Sequence, residues 1–146
     1  MATWEFVDYV SPAGTNLIEK WFRKDLAVSE ESDLTALLKM LQKQEVWGTQ
    51  ESLRNYEALA GAKYQGLAEI RLPGENNIPM RLIGFRDPDL TRHKFTFLIG
   101  CRHKGRRGYD PVDCLDTAVK RKKLLTTGEG STCEHTFDND EAAEEK

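Results

Sequence analysis

The residues with the plainest chemical potential are cations at strand-like spacing: Arg71, Arg81, Lys94, Arg102 and Lys104. Each lies in a run where apolar and polar side chains alternate. If the apolar partners point to a core, the cations share the opposite sheet face. Arg106 and Arg107 extend the group into the following loop, with His103 and Tyr109 beside them. So many cations on one face suit an anionic ligand, and a polynucleotide backbone is the natural candidate. Phe85 and Tyr109 offer flat faces on which an unpaired base can stack. His103 carries an imidazole, which titrates near neutral pH and suits acid–base work. Singly, each residue has a plainer role as a surface charge or a cover for the core edge. The run Lys120–Lys123 complements the negative end of a helix. Only the convergence of several strands on one face favours a nucleic-acid partner.

Net charge taken as a single sum argues against that partner. The 146 residues include 21 Lys+Arg and 24 Asp+Glu, for a net charge of −3. That charge is segregated: residues 1–63 carry −3, residues 64–127 carry +6 and residues 128–146 carry −6. The cations above all fall in the basic portion. No run approaches the roughly 18 apolar residues of a membrane span. The opening Met-Ala-Thr-Trp-Glu lacks the basic-then-apolar order of a signal peptide, so a cytoplasmic protein is expected. Cys101, Cys114 and Cys133 show no metal-ligand spacing, and reduced thiols without zinc are expected. No phosphate-cradling glycine loop or nucleophile elbow is present, and no cofactor is called for.

The elements that would position these side chains can be read from periodicity. Trp4 to Val10 reads as a first strand, and Ser11-Pro12 as the cap of a first helix carrying Leu17, Ile18, Trp21, Phe22 and Leu26. Ser29 to Asp33 is a polar break before a second helix with Leu34, Leu37, Leu38 and Leu41. Thr49 to Lys63 is ambiguous, with Leu53, Tyr56 and Leu59 at spacing that would suit a helical turn or two. From Tyr64 the period changes to two. Ala68, Ile70 and Leu72 oppose Glu69 and Arg71; Met80 and Leu82 oppose Arg81, Ile83 and Phe85. Phe95, Phe97, Ile99 and Cys101 oppose Lys94, Thr96, Arg102 and Lys104. A last helix opens at Asp110-Pro111, with Val112, Leu115, Val119 and Leu125 as its buried stripe. The expectation is one α+β domain over residues 1–127, its helices on one sheet face, followed by a disordered acidic tail over 128–146.

Three of these runs, Gly66-Leu-Ala-Glu-Ile-Arg71, Pro79-Met-Arg81-Leu-Ile-Gly-Phe85 and Phe95-Thr-Phe-Leu-Ile-Gly-Cys-Arg-His-Lys104, together with the helix ending Ala118-Val-Lys-Arg-Lys-Lys123, resemble the RelE/ParE toxin superfamily. The nearest flavour is its phage-derived, HigB-like branch. The resemblance covers residues 64–125; earlier elements agree in order and periodicity. It implies a type II toxin that cleaves mRNA on the ribosome without a metal. In that reaction a ribose 2′-hydroxyl attacks its own adjacent phosphate, leaving a 2′,3′-cyclic phosphate and a 5′-hydroxyl.

Carried onto this chain, the resemblance implies phosphate-holding arginines at Arg71 and Arg81 and basic groups at Arg102 and Lys104. Tyr109 stands one residue out of step with the tyrosine some RelE proteins use. With His103, the expected catalytic set is Arg81, Arg102, His103, Lys104 and Tyr109. Arg71, Phe85, Lys94, Arg106 and Arg107 would bind RNA. Cys101 replaces the family's usual aromatic, and the loop from Arg102 to Tyr109 is longer than in the HigB-like pattern. The implied partners are mRNA, the ribosome and a cognate antitoxin, often a helix-turn-helix protein. The alternatives are a ParE-like gyrase poison and a non-catalytic member that binds RNA or an antitoxin.

Overall fold

Alternation of apolar and polar residues from Ala68 onward does form strands, and the sheet they build organises the molecule. The computed structural model describes residues 4–44, 47, 55–89, 91–105 and 108–137. Within them run β1 (Glu5–Val10), α1 (Leu17–Lys20), α2 (Val28–Lys43), β2 (Tyr56–Ala58), β3 (Ala68–Leu72) and β4 (Met80–Arg86). Then follow β5 (Lys94–His103), β6 (Tyr109–Asp110), α3 (Cys114–Thr127) and β7 (Ser131–Glu134). The α1 helix widens into a π-type turn over Trp21–Asp25. The strands lie in the order β2-β3-β4-β5-β1-β7, with β6 also on β5. The sheet is mixed: β1 and β5 pair in parallel, while β3, β4 and β5 form an antiparallel meander. This is the expected α+β class, with strand, two helices, meander and helix in the expected order.

The layering differs from expectation. Helices cover both faces of the sheet, not one. Leu34, Leu38 and Leu41 of α2 and Ile18 and Trp21 of the first helix pack on Ala68, Ile70, Met80, Leu82, Phe95 and Phe97. On the other face Cys114 and Ala118 of α3 pack on Ile83, Leu98, Ile99 and Cys101. The face expected to be open and basic is therefore partly roofed by α3.

A bulge accounts for a second difference. Ile83 pairs with Ile99, yet the next residue, Gly84, pairs with Phe97, leaving Leu98 as an extra residue on β5. Simple alternation fails there. Phe95 and Phe97 face α2, whereas Ile99 and Cys101 face α3, and Arg102 emerges on the α2 side. Gly84 permits the kink, since a Cβ on it would lie 2.0 Å from the Thr96 carbonyl oxygen.

Several boundaries also move. Asn16, not Ser11, caps the first helix, its Oδ1 accepting the Glu19 N–H at 2.9 Å. The polar run Ser29–Asp33 lies inside α2, where the Glu30 carboxylate accepts the Ala27 N–H at 3.0 Å. Tyr56 belongs to a strand, while Leu53 lies outside the described residues. The last helix starts at Cys114, so Asp110 is in β6 and Val112 is 84% exposed. Residues 128–137 are not a disordered tail: Gly128 caps α3, and Ser131–Glu134 pair antiparallel with Val7–Val10 of β1. Residues 138–146 of the expected tail lie outside the described residues. No helix among the described residues is long and apolar enough to cross a membrane.

Candidate functional site

Antiparallel pairing sets Arg71 of β3 directly opposite Arg81 of β4. Two like charges in that position repel, and a third side chain resolves the conflict. Glu69, two residues before Arg71, projects from the same face, and its side chain is 5% exposed. Its Oε1 accepts from Arg71 Nε at 2.9 Å, and its Oε2 lies 3.7 Å from Arg81 Nε. The Tyr109 hydroxyl donates to Oε2 at 2.9 Å. Arg71 also pairs with Glu57 of β2. Arg81 Nη1 donates to the Met80 carbonyl at 3.2 Å, while its Nε is buried and has no hydrogen-bond acceptor.

Electrostatics follow from this packing. Burial and the Glu69 carboxylate push the Tyr109 phenol up, so it stays protonated through neutral pH. Burial, with Arg81 close by, lowers Arg71 from its ordinary value. Cys101 and Cys114 lie buried at the same end of the sheet, and the neighbouring Cys114 thiol together with burial pushes Cys101 well up. The imidazole of His103 stands edge-on to the Tyr109 ring, 5.1 Å between centroids. β6 is what delivers Tyr109, because it pairs Tyr109 with His103 on β5.

The structure thus brings together Arg71, Arg81, His103 and Tyr109 of the expected residues, around a carboxylate that the expectation omitted. It disperses the others. Arg102 lies on the α2 face, where its guanidinium grips Glu30 at 2.6 and 2.7 Å and donates to the Asp25 carbonyl at 3.2 Å. That grip holds the Glu30 carboxyl at about 2. Lys104 is a rim residue whose Nζ meets Asp110 Oδ2 at 2.9 Å. Lys94 opens β5, eight residues from Arg102 and so about 26 Å away along an extended strand. Phe85 is no open stacking platform, since Lys122 Nζ lies over its ring at 5.0 Å. Arg106 and Arg107 lie outside the described residues. Among the described residues, no three His, Cys, Asp or Glu side chains are grouped to hold a metal ion.

Glu69 had a signal in the sequence. It sits at i relative to Arg71 at i+2 on one strand face, and arginines on neighbouring strands call for a counter-charge. Its arrangement with Arg71, Arg81 and Tyr109 can orient an anion, accept a proton and supply one. The fold and this cluster define an α+β protein whose candidate site is a carboxylate–diarginine–tyrosine group at one end of a mixed sheet. No protein-family model, curated protein or solved structure matches the chain.

Proposed function

We propose that the chain is a RelE-like toxin acting as a metal-independent endoribonuclease, with the Glu69 cluster as its site. The observation that carries this reading is the Glu69 carboxylate held between Arg71, Arg81 and the Tyr109 hydroxyl. Strand cleavage needs a group to take the 2′-hydroxyl proton, cations on the phosphate and a donor for the departing 5′ oxygen. An incoming phosphate competes with Glu69 for Arg71 and Arg81, and Arg81 Nε has a donor to spare. Release of those contacts frees a carboxylate oxygen to take the 2′-hydroxyl proton as the new P–O2′ bond forms. The P–O5′ bond breaks, and its oxygen takes a proton from Tyr109, with His103 as the neighbouring acid. Partners on this reading are ribosome-bound mRNA and an antitoxin that masks the site.

The test is primer extension on mRNA from a translating extract given purified protein. Cuts with 2′,3′-cyclic phosphate ends are expected, lost in Glu69→Gln and reduced in Tyr109→Phe. Intact mRNA with wild-type protein overturns the reading. A non-catalytic protein that binds RNA or an antitoxin is the second reading. It is favoured by the pairing of Arg71 and Arg81 with Glu57 and Glu69 and of Lys104 with Asp110, which leaves little free charge around the cluster among the described residues.

A further inference from the structure

The run Lys120–Lys123, expected to complement the negative end of a helix, lies a full turn before that end. α3 continues to Thr127, and its last turn holds no basic residue. Its closing carbonyls are met by backbone: the Gly128 N–H donates to Leu125 at 3.2 Å, and the Glu129 and Gly130 N–H groups donate to Leu124 at 3.0 Å. A helix dipole acts within the last turn, so it gives these four cations no role. Nor do carboxylates. Asp116 is the one acid three or four residues from any of them, and it is taken by Lys63 Nζ at 2.8 Å and the Tyr64 hydroxyl at 3.1 Å. Among the described residues no carboxylate pairs with Lys120, Arg121, Lys122 or Lys123.

The cations divide by direction. Lys120 and Lys123 are exposed and, with Asp116 and Thr127, form the outer ridge of α3, opposite the Cys114 and Ala118 side chains that pack on the sheet. Arg121 and Lys122 leave on opposite flanks. The Arg121 guanidinium donates to the Leu98 carbonyl at 2.8 Å and lies 5.4 Å from the centre of the Tyr9 ring, while Lys122 Nζ lies 5.0 Å from that of Phe85. A ring face or a neutral carbonyl leaves a cation's charge uncancelled. All four therefore raise the potential over the ridge, where Lys120 and Lys123 are placed to make contacts. The ridge offers no apolar anchor of the kind that protein partners and bilayers use, so charge alone must hold what binds there. A polynucleotide backbone meets that requirement. α3 also starts beside the Glu69 cluster, since Cys114 and Tyr109 pack in one apolar group. Lys120 and Lys123 lie about 9 and about 14 Å further along the helix axis, where a strand leaving the cluster can continue.

We propose that the outer ridge of α3 is the docking surface for the phosphate backbone of RNA, with Lys120 and Lys123 on its phosphates. This deepens the reading above and rests on its RNA partner, not on its cleavage step. Fluorescence anisotropy of a labelled single-stranded RNA, titrated with the full chain at rising salt, tests it by binding alone. Lys120→Gln combined with Lys123→Gln should weaken binding about tenfold. The same pair should flatten the slope of log affinity against log salt by about 1.4, two contacts at about 0.7 each. Lys39→Gln combined with Lys43→Gln, on α2 across the sheet, removes equal charge and should stay within about twofold of the wild type. Both variants should keep the wild-type circular dichroism spectrum. Absence of RNA binding by the wild type at low salt, unchanged affinity and slope in the α3 pair, an equal loss in the α2 pair, or binding to phosphatidylserine vesicles in place of RNA overturns the proposal. RNA bound through the ridge but never cut upholds it and overturns only the catalytic reading.

Discussion

Glu69 and Glu30 are both buried carboxylates serving arginines, yet different properties depend on them. Glu69 answers two guanidiniums and a phenol, so Glu69→Gln leaves Arg71 and Arg81 facing each other with Glu57 as the remaining counter-charge. The variant should lose about 2–3 kcal/mol of stability, less than a fully buried pair because Arg71 is one-third exposed. Urea denaturation measures this directly, and an unchanged midpoint would show that the arginines need no such partner. Adding Arg81→Ala to Glu69→Gln should recover part of the loss, since the repulsion goes with it.

Glu30 governs acid stability instead. Its folded value of about 2 lies below the ordinary 4.5, chiefly through Arg102. A depressed carboxyl contributes stability that is complete above its unfolded value and is lost as pH falls through the folded one. The Glu30–Arg102 contribution should therefore fade between about pH 4.5 and pH 2. Urea midpoints across that window should fall less steeply in Glu30→Gln than in the wild type. Equal slopes would mean that other carboxylates dominate acid unfolding.

Among the elements, β5 is the one whose reading went furthest astray, and for an identifiable reason. Alternation assigns Arg102 to the face of Arg81 only if the period of two is unbroken from Lys94 to Lys104. One inserted residue, Leu98, reverses the parity beyond it. The meander, the order of helices and the apolar face of α2 were legible because Leu34, Leu38 and Leu41 repeat at helical spacing. The side on which α3 packs was not, since an apolar stripe on a helix does not say which sheet face it meets. β7 was hidden for a different reason: Ser131–Glu134 is an exposed edge with no hydrophobic alternation. At the candidate site, strand alternation puts Glu69, Arg71 and Arg81 on one face, but the ion pairing among them depends on strand register, which alternation alone does not give. The bulge makes its own prediction. Gly84→Ala drives a methyl against the Thr96 carbonyl oxygen at 2.0 Å, where backbone must move. Gly100→Ala meets the Trp21 ring at 2.1–2.3 Å, which a side-chain shift can partly relieve. Thermal unfolding should show both destabilised, Gly100→Ala by about 1–3 kcal/mol and Gly84→Ala by more. The reverse order would place the tighter constraint at Trp21.

For the whole molecule, folding undoes the charge segregation of the linear chain. Glu57 and Glu30, from the acidic residues 1–63, close on Arg71 and Arg102 of the basic portion. The acidic C-terminal segment is likewise drawn into the fold, at least through Phe137. β7 covers the free edge of β1, and the His135 N–H donates to the Phe6 carbonyl at 3.0 Å. The His135 ring then meets Asp8 at 2.8 Å, both side chains buried, among Phe22, Phe97 and Phe137. A chain ended at Gly130 would leave the Asp8 carboxylate without this partner and the β1 edge open to pairing with another copy. It should unfold at a lower temperature than the full chain and elute from a sizing column as larger species. A chain ended at Phe137 keeps all of these contacts and should match the full chain in both measurements. That second truncation removes Asp138, Asp140, Glu141, Glu144 and Glu145 without disturbing β7, so it isolates their electrostatic effect. If those acids screen the cations of the sheet and α3, ribosome or RNA binding should rise in the shorter chain at low salt, and the difference should vanish as salt is added. Equal binding at low salt would exclude screening in cis, leaving the charge on residues 138–146 without influence on the basic portion.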